Sequence, residues 1–279
     1  MPWLSPVAIL QGVEKDKPAT APDSQLCGAA KLMLKIIPVY GIPEVKPGTD
    51  LPAAVFRAAA RQGLRFADGD VVVVKQKIVS KAEGRLVELK RVKPGPRARK
   101  LAGEQGKDPR LVELILRESV RVVRAGHGVI ITETRRGLVC ANSGIDKSNV
   151  KRGFVALLPA DPDGTARKIR RRLEARTRAE IAVIISDTFG RPWRKGQTDV
   201  AIGCSGIAPL YSYKGRRDKF GYSLRVTEPS VVDEMASAAE LVAGKLSGVP
   251  VTVIRGATFT RGEGGVQSMI IEWEKDLFR

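Results

Sequence analysis

No apolar stretch of this sequence is long enough to be more than one buried element. The β-branched runs at residues 71–74 (VVVV) and 182–185 (AVII) are bounded by Asp, Lys and Ser, and fall far short of the roughly 20 residues that a membrane span needs. Such a chain must assemble its core from several short strands and the helices between them. It has the material to do so, because 43% of its 279 residues are hydrophobic and 28% charged, which excludes wholesale disorder. That length suits one large domain or two intimate subdomains, since single cores stop growing at about 250–300 residues.

Residues 1–32 differ in texture, with Pro18, Pro22 and little periodicity before the apolar onset at 32–39. The folded domain is therefore expected over 33–279. Met33 stands directly before the first strand, so the preceding segment is expected to be a loose extension or the product of a misassigned start codon. It lacks the basic start and long apolar run of a secretory leader. Cys27, Cys140 and Cys204 are odd in number and far apart, without a CxxC pair, which fits a reducing cytoplasm better than a disulfide framework or a zinc cluster.

Asp50 is placed to cap a helix over 51–61 that Gly63 closes. The run at 71–74, followed by Ile78 and Val79, predicts a buried strand. From 97 to 124 the pattern is helical and basic but broken at Gly106-Lys107-Asp108-Pro109. Two helices are expected, the second capped by Asp108 and carrying Leu111, Leu114, Ile115 and Val122. Strands at 129–132 and 138–141 read as a hairpin opening onto the polar loop 142–149. Asp161-Pro162-Asp163-Gly164 starts a helix to about residue 178. A strand at 181–185 then ends in the polar loop 186–191, and a helix over 230–246 precedes a last strand at 249–255. Without a strict βαβ repeat, the expected fold class is α+β, with mixed sheets and flanking helices.

His127 is the only histidine, which removes every metal site built on two of them. Its setting, AGHG at 125–128, reads as a turn into a strand. Chemistry is left to carboxylates, lysines, arginines and hydroxyls. Two aspartates follow apolar strands, Asp146 and Asp187, the latter beside Thr188. Mg²⁺ takes one or two carboxylates together with waters and phosphate oxygens, and such a pair could supply them. An Asx turn at Asp146 and a cap at Asp187 would produce the same pattern.

Lys75, Lys77 and Lys81 flank one strand, and Arg191 and Arg194 surround Pro192-Trp193. Both groups can bind phosphate, although with 48 Lys+Arg against 30 Asp+Glu a solvated face is the plainer explanation for any one of them. Neither Walker A nor GxGxxG occurs, so a nucleotide would have to be held in another way. Gly244-Lys245-Leu246-Ser247-Gly248 follows a helix instead of preceding one, and reads as a C-cap with a dipole-matched lysine. The net charge of +18 also permits nucleic acid. Against that, aromatics are only 5%, and the basic clusters at 97–100 and 167–172 fall on predicted helices without interleaved rings for base stacking. A basic enzyme for acidic substrates fits the same numbers.

Four segments carry a likeness: GIPEV at 41–45, DGD at 68–70 with SKAEGR at 80–85, the loop at 142–149, and IISDTFGRPWR at 184–194. Together they resemble the coenzyme F420-0:γ-glutamyl ligase family, in order from about Leu34 to Gly256. The resemblance implies a GTP-dependent acid–amino-acid ligase of unusual α+β fold, homodimeric and cytoplasmic. It would add L-glutamate to the deazaflavin coenzyme F420-0 through an acyl phosphate, using two Mg²⁺ or Mn²⁺ ions and K⁺.

Position by position, the resemblance implies Asp146 and Asp187 as ligands of the first ion and Thr188 as a ligand of the second. Asp146, Asp187 and Lys81 form the implied catalytic set. Ile42, Pro43, Glu44, Val45, Gln76, Lys77, Lys81 and Asn149 line the implied GTP site with Ala243, Gly244, Lys245, Leu246, Ser247 and Gly248. Lys245 stands where archaeal members are expected to place a glutamate for the second ion. A charged lysine cannot ligate, which leaves waters, another carboxylate or phosphate oxygens for that role. Some actinobacterial relatives continue into a flavin-binding reductase-like domain; this sequence ends at Arg279, so no reductase function is expected. The alternatives are a ligase for a different carboxylate and a basic nucleic-acid-associated protein.

Overall fold

The computed structural model describes residues 33–277. The extension expected over 1–32, the start-codon reading and Cys27 lie outside the described residues. In chain order the elements are β1 (Lys35–Pro38), α1 (Leu51–Arg61), β2 (Val71–Lys75), α2 (Gln76–Ala82), β3 (Leu86–Glu88), α3 (Pro96–Gln105), α4 (Pro109–Glu118), β4 (Ser119–Gly126) and β5 (Val129–Thr134). They continue with β6 (Val139–Ala141), β7 (Phe154–Ala156), α5 (Pro162–Thr177), β8 (Ala182–Arg191), β9 (Arg194–Ser205), α6 (Val231–Ala243) and β10 (Val251–Arg255).

The two β-branched runs lie side by side. β2 and β8 pair in parallel inside a five-stranded sheet of order β1-β10-β2-β8-β9, whose other pairings are antiparallel. Side chains alternate across a strand, so Val72, Val74, Val183 and Ile185 face one core, with Leu51 and Val55 of α1, Ile78 and Val79 of α2, and Ile169 and Leu173 of α5. Val71, Val73, Ala182 and Ile184 face the other, against Val232, Met235, Ala236 and Ala239 of α6. Covering on both faces is why these runs are unbroken rather than alternating; each fully buried valine or isoleucine contributes about 1.5–3 kcal/mol. A third core joins α3 and α4 to Ile130 and Val155, beside the β4-β5-β6 and β3-β7 sheets. The fold is α+β, as expected.

Capping residues set several helix starts as the sequence predicts. Asp50, Asp108, Asp161 and Ser230 each accept from a backbone N–H of the first turn of α1, α4, α5 and α6. Four readings need correction. Ile78 and Val79 belong to α2, not to a strand: β2 ends at Lys75, and helical spacing lets both fall onto the α1/α5 core, which outweighs their β preference. Val122 lies in β4 opposite Thr132, because α4 stops at Glu118 and the chain is drawn into a hairpin with β5. Residues 186–191 are not a loop, since β8 continues to Arg191 and pairs throughout with β9, a strand the sequence reading did not identify. The last long helix ends at Ala243, not 246.

His127 occupies the exposed β4–β5 turn with φ of 50°. Burial pushes the thiols of Cys140 and Cys204 up to about 12, so neither is a ready nucleophile. The clusters at 97–100 and 167–172 lie on α3 and α5. Among the described residues, no helix is long and apolar enough to cross a membrane.

Candidate active site

β2 and β8 finish their buried halves at one edge, with Lys75 opposite Ser186. The carboxyl edge of parallel strands is where open α/β sheets receive ligands. Just there the β8–β9 pairing slips: Ile185 faces Gly203 and Ser186 faces Ala201, leaving Ile202 as the extra residue of a bulge. A bulge bends a strand and re-aims its side chains, and beyond this one β8 carries Asp187 and Thr188.

Asp146 arrives from the other side on a pinned loop. Ser143 and Gly144 are consecutive left-handed residues, with φ of 54° and 67°, and a Cβ on Gly144 would lie 2.6 Å from the Leu158 side chain, so glycine is required. The buried Ser143 hydroxyl donates to Ile115 O at 2.9 Å and lies 2.8 Å from Thr132 Oγ1. Asp146 then exchanges backbone hydrogen bonds of 3.0 and 2.9 Å with Ala156. Its carboxylate accepts from the amide and hydroxyl of Ser148 at 2.8 and 2.7 Å, an Asx turn as the plainer reading anticipated, and also stands 2.7 Å from Lys77 Nζ.

The two aspartates thus border one recess of about 80 Å³, together with Lys75, Gln76, Lys77, Asn149, Thr188, Glu240 and Lys245. Beside it runs a cleft of about 790 Å³ that shares Lys75, Lys77, Asn149, Gly244 and Lys245 with the recess. Ile42, Pro43, Glu44, Val45, Lys81, Leu246 and Gly248 also line the cleft. The structure therefore gathers segments separated by some 200 residues of sequence into one place. Lys81 Nζ lies 2.6 Å from Glu44 Oε1, tying the GIPEV segment to α2. Ala243 and Ser247 line neither cavity: Ala243 is buried, and the Ser247 hydroxyl donates to its carbonyl. Arg191 and Arg194 sit at the exposed tip of the β8–β9 hairpin, outside both.

A profile of the F420-0:gamma-glutamyl ligase family matches residues 41–256. The chain belongs to this family. It is 47% identical over 249 residues to the coenzyme F420:L-glutamate ligase of Methanothermobacter thermautotrophicus, spanning 88% of this chain and 99% of that protein. The Methanopyrus kandleri protein of the same name is 44% identical over 251 residues, 88% of this chain and 98% of the relative. That of Methanocaldococcus jannaschii is 45% identical over 213 residues, 76% and 85%.

In this member of the ligase family the recess is short of positive charge. Burial pushes the Asp187 carboxyl up to about 7; the Thr188 amide and Lys77 oppose the rise, while Asp146 and Asp199 add to it. Burial also raises Asp146, but the bonds from Lys77 and from the Ser148 hydroxyl and amide outweigh it and hold the group below its ordinary value. A divalent cation between the two would stabilise the ionised form of both. Among the described residues no three His, Cys, Asp or Glu side chains are grouped to hold a metal alone.

Two residues, one lining the recess and one behind it, escaped the sequence reading. Asp199 of β9 is buried behind it and accepts from Thr188 Oγ1 at 2.7 Å and from Ser186 Oγ at 3.1 Å. Glu240 of α6 and Asp199 both hold the Lys75 ammonium. The available signals were an acid at the threshold of the apolar run 200–202, and an acid between the buried helix positions Ala239 and Ala243.

Proposed function

We propose that this chain is a GTP-dependent ligase joining L-glutamate to coenzyme F420-0, by its γ-carboxylate in later rounds. The observation that carries the reading is the meeting of Asp146 and Asp187 in a lysine-lined recess opening on a cleft bordered by residues 42–45, 244–246 and 248. Family membership and the names of the relatives support the acceptor and the amino acid. The cleft is large enough for a nucleotide, as ligand sites run to roughly 300–1,000 Å³.

Lys77, Lys81 and Lys245 face the triphosphate as point charges and draw its oxygens toward the recess. Asp146 and Asp187 would hold Mg²⁺ or Mn²⁺, and such an ion would supply neutralisation of charge on the transferring phosphoryl group. The acceptor's carboxylate oxygen forms a bond to the γ-phosphorus, the bond to the β-phosphate breaks, and GDP leaves. The glutamate amine then attacks the acyl carbon of the resulting acyl phosphate, phosphate departs, and the amine loses its proton as the amide forms. The pinned Ser143–Gly144 turn and the β8 bulge supply positioning, from which much of such catalysis comes. The homodimer, the K⁺ requirement and a cytoplasmic location belong to the same proposal.

Incubation with F420-0, L-glutamate, GTP and Mg²⁺, followed by mass spectrometry, tests it. The expected product carries added glutamyl residues, with one GDP and one phosphate released per amide bond and little product when ATP replaces GTP. Absence of a glutamylated product would remove the assignment. Glutamyl transfer to another carboxylate instead of F420-0 would move it to a ligase with a different acceptor.

A further inference from the structure

The resemblance implies a second divalent ion on Thr188, and the residues present do not fit one. We propose that the Lys75 ammonium takes that place as a built-in, non-exchanging cation, so that this chain works with a single divalent ion per site. The inference rests on the ligase reading above and concerns how its recess is charged.

Lys75 is the last residue of β2, and its side chain, only 19% exposed, reaches between Asp199 and Glu240. Asp199 has no exposed side-chain surface. One of its oxygens receives the Thr188 hydroxyl and the other receives both Lys75 and Ser186. Thr188, Asp199 and Glu240 are the oxygen donors a hard cation would choose beside the Asp146–Asp187 pair, and an ammonium already joins two of them. The Thr188 hydroxyl proton is directed at Asp199.

A metal ion at these oxygens would have to displace the ammonium or sit against it, in a recess where opposing charges are weakly screened. The formal charges agree. Lys75, Lys77 and Lys245 border the recess with Asp146, Asp187 and Glu240, and Asp199 stands behind, an excess of one negative charge. A single divalent ion reverses that excess and leaves the recess positive for a triphosphate. Lys75 then favours the same phosphoryl oxygens indirectly, by offsetting one of the two negative charges of Asp199 and Glu240, and acts as a positioning residue for Thr188.

Counting bound Mn²⁺ by electron paramagnetic resonance, with the intact protein and a non-hydrolysable GTP analogue, decides the matter. The expected count is about one ion per chain in the wild type and in Lys75→Arg, rising to about two in Lys75→Ser, where the vacated carboxylates become available. Two ions in the wild type, or one in a folded Lys75→Ser protein, would overturn the proposal and leave the ligase reading intact. No bound ion in the wild type would defeat the Asp146–Asp187 assignment itself, and this inference with it. Should Lys75→Ser prove unfolded by circular dichroism, the wild-type count still separates one ion from two.

Discussion

The two ends of β2 use the same chemistry for opposite purposes. At its start, buried Asp70 receives a two-pronged contact from Arg255, Nε to Oδ1 and Nη2 to Oδ2 at 2.7 Å each, and the Ala67 amide at 2.9 Å. Arg255 also donates to the Arg65 carbonyl. Each carboxylate oxygen is met and one cation serves one anion. Past its end, four carboxylates share three ammonium groups around an open recess, and Asp187 is left with a carboxyl pushed up to about 7. A closed pair holds the fold; the incomplete set is where the proposed divalent cation would be held.

Substitutions at the two ends should therefore separate activity from stability. The largest effect is expected for Asp187→Asn, with turnover falling at least about 10³-fold, or about 4 kcal/mol of transition-state stabilisation. Its melting temperature should stay level or rise, since the change removes a carboxyl that burial disfavours in its charged form. Asp146→Asn should match that loss of turnover, and wild-type rates in either variant would dissolve the contrast. At the other end, Asp70→Asn should cost about 3 kcal/mol in urea unfolding, the low end for a broken buried pair because Arg255 is partly exposed. Activity per folded molecule should be retained; equal stability would show that the pair is not what holds that end.

A smaller effect follows from protons. With the Asp187 carboxyl raised from 3.8 to about 7, the metal-free folded protein binds more protons than the unfolded chain between those values. Asp187 therefore contributes stability that is lost as pH rises from about 4 to about 7, and Asp187→Asn should remove that contribution from the pH profile. An unchanged profile would place the titration elsewhere. The smallest effect is set by Asp50, which caps α1 away from both ends through the Ala53 amide at 3.1 Å. Asp50→Ala should cost about 1 kcal/mol without altering turnover.

What could be read from the sequence was whatever local chemistry decides. Caps at Asp50 and Asp108, the helix start at Asp161 and the runs at 71–74 and 182–185 announce themselves, because a side-chain acceptor or a string of β-branched residues has few other uses. Asp146 and Asp187 were legible as acids following apolar strands, and the family likeness located the residues now seen around the cleft. What was hidden depends on partners distant in sequence. The first half of β9, with Lys195, Gly196 and Gln197, has no apolar alternation and becomes a strand only by pairing with β8. Nothing local singles out Asp199 and Glu240; their part in the site emerges only with Lys75 placed between them, 124 and 165 residues away.

The most direct test of the account is anomalous diffraction at the manganese edge from crystals grown with Mn²⁺ and a non-hydrolysable GTP analogue. A peak bridging the carboxylates of Asp146 and Asp187 and touching the triphosphate is the predicted result. Nucleotide bound in the cleft with no peak beside either aspartate would contradict it.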